Sequence, residues 1–103
     1  MRVKIEEDYA RIIPLENIDL TNAEKLKEKF TELVEEENIK NIILDFRNVE
    51  KIDSSGLGKL LLFHKIIKEV QGKLKIKNVN SQYVKKVFNM VNLTETLDIE
   101  MWI

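Results

Sequence analysis

The chain has 103 residues, 44% of them apolar, with 17 Lys and Arg against 18 Asp and Glu, one His and no Cys. A length near 100 residues holds one hydrophobic core, so residues 1–103 are expected to form a single domain. The lack of Cys excludes disulfides, thiol catalysis and thiolate metal sites, and a net charge of −1 argues against nucleic-acid binding, which draws on an excess of Lys and Arg.

No apolar run approaches the ~18 residues of a membrane helix, and the start MRVKIEEDYA lacks the apolar core of a signal peptide. The expectation is a cytoplasmic chain without membrane insertion. Arg2 to Ile5 alternates polar and apolar residues and reads as a strand. Tyr9 to Ile13 reads as a second, ended by Pro14, and the short connection Glu6-Glu7-Asp8 suits an antiparallel hairpin. After a loop over 15–20, Thr21-Asn22-Ala23-Glu24 has the spacing of a capping box. Ala23, Leu26, Phe30, Leu33 and Val34 then recur at helical intervals. The acidic run Glu35-Glu36-Glu37 opposes the helix dipole and predicts fraying before Asn38.

Asn41 to Phe46 is an apolar block that predicts a central strand covered on both faces. A loop follows, and from Ser54 or Ser55 a helix is predicted to about Val70. Its many apolar residues imply near-complete enclosure. Gln71-Gly72 predicts its end, with glycine as the left-handed residue. Lys73 to Val79 alternates as a strand buried on one face, with Lys73, Lys75 and Lys77 as a solvated stripe. Ser81 is placed to cap a third helix carrying Val84, Val87, Phe88 and Val91, which Asn92 ends in left-handed geometry; Leu97 to Ile99 adds a last short strand. The order is ββαβαβα(β). This is an α/β domain with a mixed sheet, antiparallel at its N-terminal hairpin and parallel thereafter, covered by about three main helices.

One segment exceeds what packing requires. Of three Gly and three Ser in the chain, two of each lie in Asp53-Ser54-Ser55-Gly56-Leu57-Gly58, where a loop meets the most apolar helix. Asp53 or Ser54 as N-cap explains part of it. It does not explain Gly58, since glycine within a helix costs roughly 1 kcal/mol against Ala. Bare backbone there suits close approach by another surface or an anion. A phosphate on Ser54 would meet a helix dipole that favours it by roughly 0.3–1 kcal/mol, leaving the fold intact while adding about −1.5 to −2 charges.

That hexapeptide resembles the signature of the STAS domain of bacterial anti-sigma factor antagonists. Ile18-Asp19 with Ala23 and Leu26 is similar to the family's first-helix opening, Ile42-Ile43-Leu44-Asp45 to its central strand, and Val84 to Met90 to its third helix, so the likeness runs from residue 2 to about 99. It implies a protein phosphorylated on Ser54, with Ser55 the second candidate acceptor, by a serine kinase that is also the anti-sigma factor and binds the ATP itself. The unphosphorylated form binds that kinase and frees the sigma factor, and a serine phosphatase reverses the modification. The partner-binding surface then comprises Asp19, Asp53, Ser54, Ser55, Gly56, Leu57 and Gly58. The alternative is an interaction module of a lipid-transport ABC system or a stress-signalling scaffold, with no phospho-switch. Three departures stand out: Glu16 replaces a frequent Gly, Asn92 replaces a Gly, and the chain stops at Ile103, which would leave Met101-Trp102-Ile103 uncovered.

No catalytic residue, metal or cofactor is expected. The serines lack the Gly-x-Ser-x-Gly elbow, and His64, ten residues along the same helix, is about 15 Å from Ser54. No Gly-x-x-x-x-Gly-Lys phosphate loop is present.

Overall fold

A computed structural model describes residues 1–101. Strand β1 (Arg2–Ile5) pairs antiparallel with β2 (Ala10–Ile13), Arg2 opposite Ile13 and Ile5 opposite Ala10. Helix α1 (Ala23–Thr31) leads to β3 (Asn41–Asp45), helix α2 (Ser54–Glu69) to β4 (Lys73–Val79), and α3 (Gln82–Met90) with the short α4 (Leu93–Thr96) to β5 (Asp98–Met101). The sheet order is β1-β2-β3-β4-β5, and every pairing after the first is parallel. The predicted architecture is the observed one, with α4 as an addition.

Strand order explains where the core sits. Each crossover advances the chain one place in the same direction, and right-handed connections that never reverse leave their helices on one face. Ala10, Ile12, Ile42, Leu44, Leu74 and Ile76 line that face and are buried. Phe30 of α1 stacks on Phe63 of α2 at 4.2 Å between ring centres. The expectation that β3 is covered on both faces fails: Ile43 on the opposite face is only half-buried. A two-sided cover needs a reversal of strand order that this chain lacks.

Four local expectations are corrected. Thr21 and Glu24 form no capping box: the Thr21 hydroxyl donates to Asp19, and Glu24 reaches Lys59 of α2 at 3.1 Å. The acidic run does not fray; Leu33 and Val34 are buried, and the chain stays helical as one wider turn over Glu32–Glu36 before Asn38 turns left-handed at φ 56°. Gln71, not Gly72, carries the positive φ after α2. Gly72 is needed because a Cβ there would collide with the Lys40 carbonyl oxygen. Helix α2 is not enclosed, for Leu61 is 49% exposed. Asn92 is left-handed at φ 54°, as predicted. The side chain of Met101, together with Trp102 and Ile103, lies outside the described residues.

Candidate partner-docking site

Two loops meet at the C-terminal end of β3. The first, residues 14–22, follows β2; the second, residues 46–53, follows β3. They are laced together by backbone and side chain. Ile18 and Ile52 form a parallel bridge, the Ile18 amide donates to the Lys51 carbonyl at 3.2 Å, and the Asp53 amide donates to the Ile18 carbonyl at 3.1 Å. The Asn17 side-chain oxygen accepts from the amides of Glu50 and Lys51, both at 2.9 Å.

Asp53 is the joint. One carboxylate oxygen accepts the Gly56 amide at 3.0 Å and caps α2; the other accepts the Leu20 amide at 3.1 Å from the opposite loop. An aspartate at this N-cap therefore fixes where the Asp19 loop lies as well as where α2 begins. Asp19 accepts from the hydroxyl of Thr21 and from its amide at 2.9 Å, and these bonds hold its carboxyl below the usual range. Its own amide donates to Asn22 at 3.0 Å. The loop is thus tied at Asn17, Asp19, Leu20 and Asn22 and presents a fixed shape.

Ser54 is the first residue of α2 and exposed, and its hydroxyl makes no hydrogen bond to the described residues. The amides of Ser54 and Ser55 also lack partners there: the Asp53 side chain takes the Gly56 amide, and the Asp53 carbonyl takes the Leu57 amide at 3.0 Å. A free hydroxyl therefore stands beside two open donors at the positive end of a sixteen-residue helix. Ser55 and Leu57 are half-buried, Gly56 is buried and Gly58 is exposed.

The two glycines have opposite reasons. A Cβ on Gly56 would lie 2.6 Å from Ile52 Cγ1 and 2.8 Å from Ile18 Cγ2, so this glycine permits the two loops to close over the helix start. Gly56→Ala is expected to destabilise the chain by about 1–3 kcal/mol, as overpacking does, measured by urea unfolding. A Cβ on Gly58 would meet nothing within 4 Å. No internal contact asks for glycine there.

Sequence reading missed two residues of this surface. Leu20, beside Asp19, is 77% exposed, and Leu61, on the same face of α2 as Ser54 and Gly58, points outward as well. The signal for Leu20 was an apolar residue stranded in a polar loop. Leu61 was hidden within the run Leu60-Leu61-Leu62. Among the described residues no group of three or more His, Asp or Glu is placed to hold a metal, and no helix is long and apolar enough to cross a membrane.

The STAS domain profile matches residues 4–102, nearly the whole chain. This chain belongs to the STAS domain family. It is 30% identical over 97 residues to the anti-sigma-B factor antagonist of Bacillus subtilis, covering 94% of this STAS chain and 86% of that protein. A Thermotoga maritima protein assigned as an anti-sigma factor antagonist superposes with a TM-score of 0.90 at 25% identity, over 99% of this chain and 86% of that one. The Bacillus cell-fate determinant SpoIIAA has the same fold. The TM-score is 0.76 for its unphosphorylated form, at 19% identity over 99% of this chain and 88% of that one. It is 0.75 for the phosphorylated form, at 21% identity over 97% and 90%.

Proposed function

We propose that this STAS chain is an anti-sigma factor antagonist whose docking is switched by phosphorylation of Ser54. Unphosphorylated, the Asp19 loop and the start of α2 bind an anti-sigma factor that is also a serine kinase, and the sigma factor is freed. The kinase holds ATP and transfers its γ-phosphoryl group to the Ser54 oxygen, releasing ADP and the hydroxyl proton. The modified chain lets go, and a serine phosphatase restores it.

The observation that carries this reading is the Ser54 hydroxyl: exposed, unbonded, beside two open amides and next to the tied Asp19 loop. A phosphate there is solvated on one side and favoured by the helix on the other, so modification changes the surface and spares the core. The near-equal likeness of the fold to both forms of SpoIIAA supports that expectation. Asp53 works indirectly in this reading, by holding the loop and the helix start together. Ser55, half-buried in the first turn, remains the second acceptor.

Titration calorimetry of the kinase against three forms tests the switch. Ser54→Ala is expected to bind as the wild type does and to resist modification, and Ser54→Asp to fold normally but bind about tenfold more weakly, because it places charge in a packed contact. Equal affinity for wild type and a folded Ser54→Asp would remove the switch. Recovery of an ABC-type ATPase or a scaffold protein as the sole stable partner from the native cells would remove the sigma pathway.

A further inference from the structure

The chain has three serines, and the third, Ser81, makes one bond more than its helix asks for. Its hydroxyl accepts the Val84 amide at 3.1 Å, which caps α3, and donates to the Glu50 carbonyl at 2.7 Å. The second bond holds the 46–53 loop, 31 residues away in sequence. The Glu50 carbonyl and the Lys51 amide belong to one planar peptide unit. That amide donates to the Asn17 side-chain oxygen at 2.9 Å, as does the Glu50 amide. The unit is therefore gripped from both sides, at its oxygen by Ser81 and at its nitrogen by Asn17. Beyond it, the Asn17 carbonyl accepts from the Asn22 side-chain nitrogen, and the Asn22 side-chain oxygen accepts the Asp19 amide at 3.0 Å. A continuous path of hydrogen bonds runs from the cap of α3 to the loop that presents Asp19.

We propose that Ser81 is a positioning residue for the docking surface, fixing the Asp19 loop through the Glu50–Lys51 peptide unit and Asn17. The inference rests on the docking reading given above for that loop. A peptide unit clamped at its oxygen cannot turn without breaking a bond, so the two amides that Asn17 accepts keep their direction, and residues 17–19 keep theirs. Without the Ser81 bond the unit can rotate and the loop loses its seat. Ser54 is held separately, because Asp53 caps α2 through the Gly56 amide at 3.0 Å. Loss of the bond therefore acts on docking and leaves the acceptor hydroxyl where it is. Serine suits the position because a hydroxyl donates and accepts at once. Aspartate caps a helix equally well, but its carboxylate has no proton to give and would face the Glu50 carbonyl oxygen.

The test separates the cap from the tie. Ser81→Asp keeps an acceptor for the Val84 amide and should melt like the wild type, while the amide signals of Asn17, Ile18, Asp19 and Lys51 move in the isotope-labelled chain. Ser81→Thr keeps both bonds and should restore those signals. Ser81→Ala loses the cap as well, so it should melt lower and show the same displaced loop. With the kinase proposed above as the partner, Ser81→Asp is expected to raise the KM for the chain roughly 2- to 10-fold, the worth of one ordinary hydrogen bond. The kcat should stay unchanged, since Ser54 has not moved. In an Asn17→Ala background the same substitution should add less than about twofold, because both act on one path of bonds. Gln82→Asp, at the exposed neighbouring position, adds the same charge without touching the tie and should alter neither signals nor KM. The proposal is overturned if Ser81→Asp leaves the signals of residues 17–19 in place, if Gln82→Asp raises KM as much, or if Ser81→Asp and Asn17→Ala add in full. A wild-type chain that the kinase does not bind would remove the docking reading, and the loop signals would still decide whether Ser81 positions Asp19.

Discussion

Asp45→Ala is expected to destabilise the chain by about 3–5 kcal/mol, the cost of removing one member of a buried ion pair. Asp45 ends β3 and is fully buried. One of its oxygens accepts from Arg11 Nη1 at 2.7 Å and from Arg47 Nη2; the other accepts from the Arg47 amide and Nε, both at 3.1 Å. Asn78 bonds it as well, from the left-handed point (φ 58°) where the β4–β5 register shifts. One carboxylate therefore ties β2, the β3 exit loop and the β4 irregularity, and the β3 exit loop leads to the Ser54 site. Urea unfolding with an unchanged slope measures the loss. Arg47→Ala, removing a half-exposed partner, is expected to cost about 1 kcal/mol or less. If Asp45→Ala cost no more than that, the three elements would be held together by apolar packing alone.

The same group gives the stability its acid limb. Burial pushes the Asp45 carboxyl up, but the bonds from Arg47, Asn78 and Arg11 outweigh burial and hold it far below the ordinary carboxylate range. A depressed folded-state value means that the unfolded chain binds the proton more readily. The contribution is complete above the unfolded value, about 3.9, and is lost as pH falls below it toward the folded value. Unfolding free energy should therefore decline steeply below about pH 4 in the wild type, and the decline should be shallower in Asp45→Asn. Parallel acid limbs in the two would exclude Asp45 as the source.

How much of this was legible in the sequence depends on whether the deciding contact is local. The alternation of Arg2 to Ile5 and Lys73 to Val79, the stripe of α1 and the left-handed Asn92 follow from neighbours a few residues away, and the elements formed where the pattern put them. Thr21 had the right spacing for a capping box, yet Asp19 two residues earlier and Lys59 on another helix offered Thr21 and Glu24 better partners. Gly72 looked like a helix terminator, but what it accommodates is the Lys40 carbonyl, distant in sequence. The openness of one sheet face depends on strand order, which no single segment encodes. In the candidate site, Asp53 was readable as a cap from its place before Ser54. Its second bond, to the Leu20 amide, joins residues 33 apart and appears only when the loops are brought together.

Gly58→Ala is expected to make the isolated chain more stable and its docking weaker, a pair of effects that separates contact with a partner from folding. A methyl group at this exposed helical position meets nothing within 4 Å, so the helix gains roughly 1 kcal/mol from the better propensity of alanine. The same methyl enters the surface that Ser54, Leu20 and Leu61 surround. In a contact packed like a protein interior, an added methyl or larger group costs about 1–3 kcal/mol, roughly 5- to 150-fold in affinity. Gly58→Arg should lie at the upper end of that range with little loss of stability. Thermal melting and calorimetry against the kinase proposed above as the partner give the two quantities. Gly56→Ala is the internal comparison, since its Cβ strikes Ile52 and Ile18 and should lower stability first. If Gly58→Ala raised the melting temperature and left affinity untouched, the partner would not cover this turn of α2, and the docking surface would have to be redrawn around the Asp19 loop.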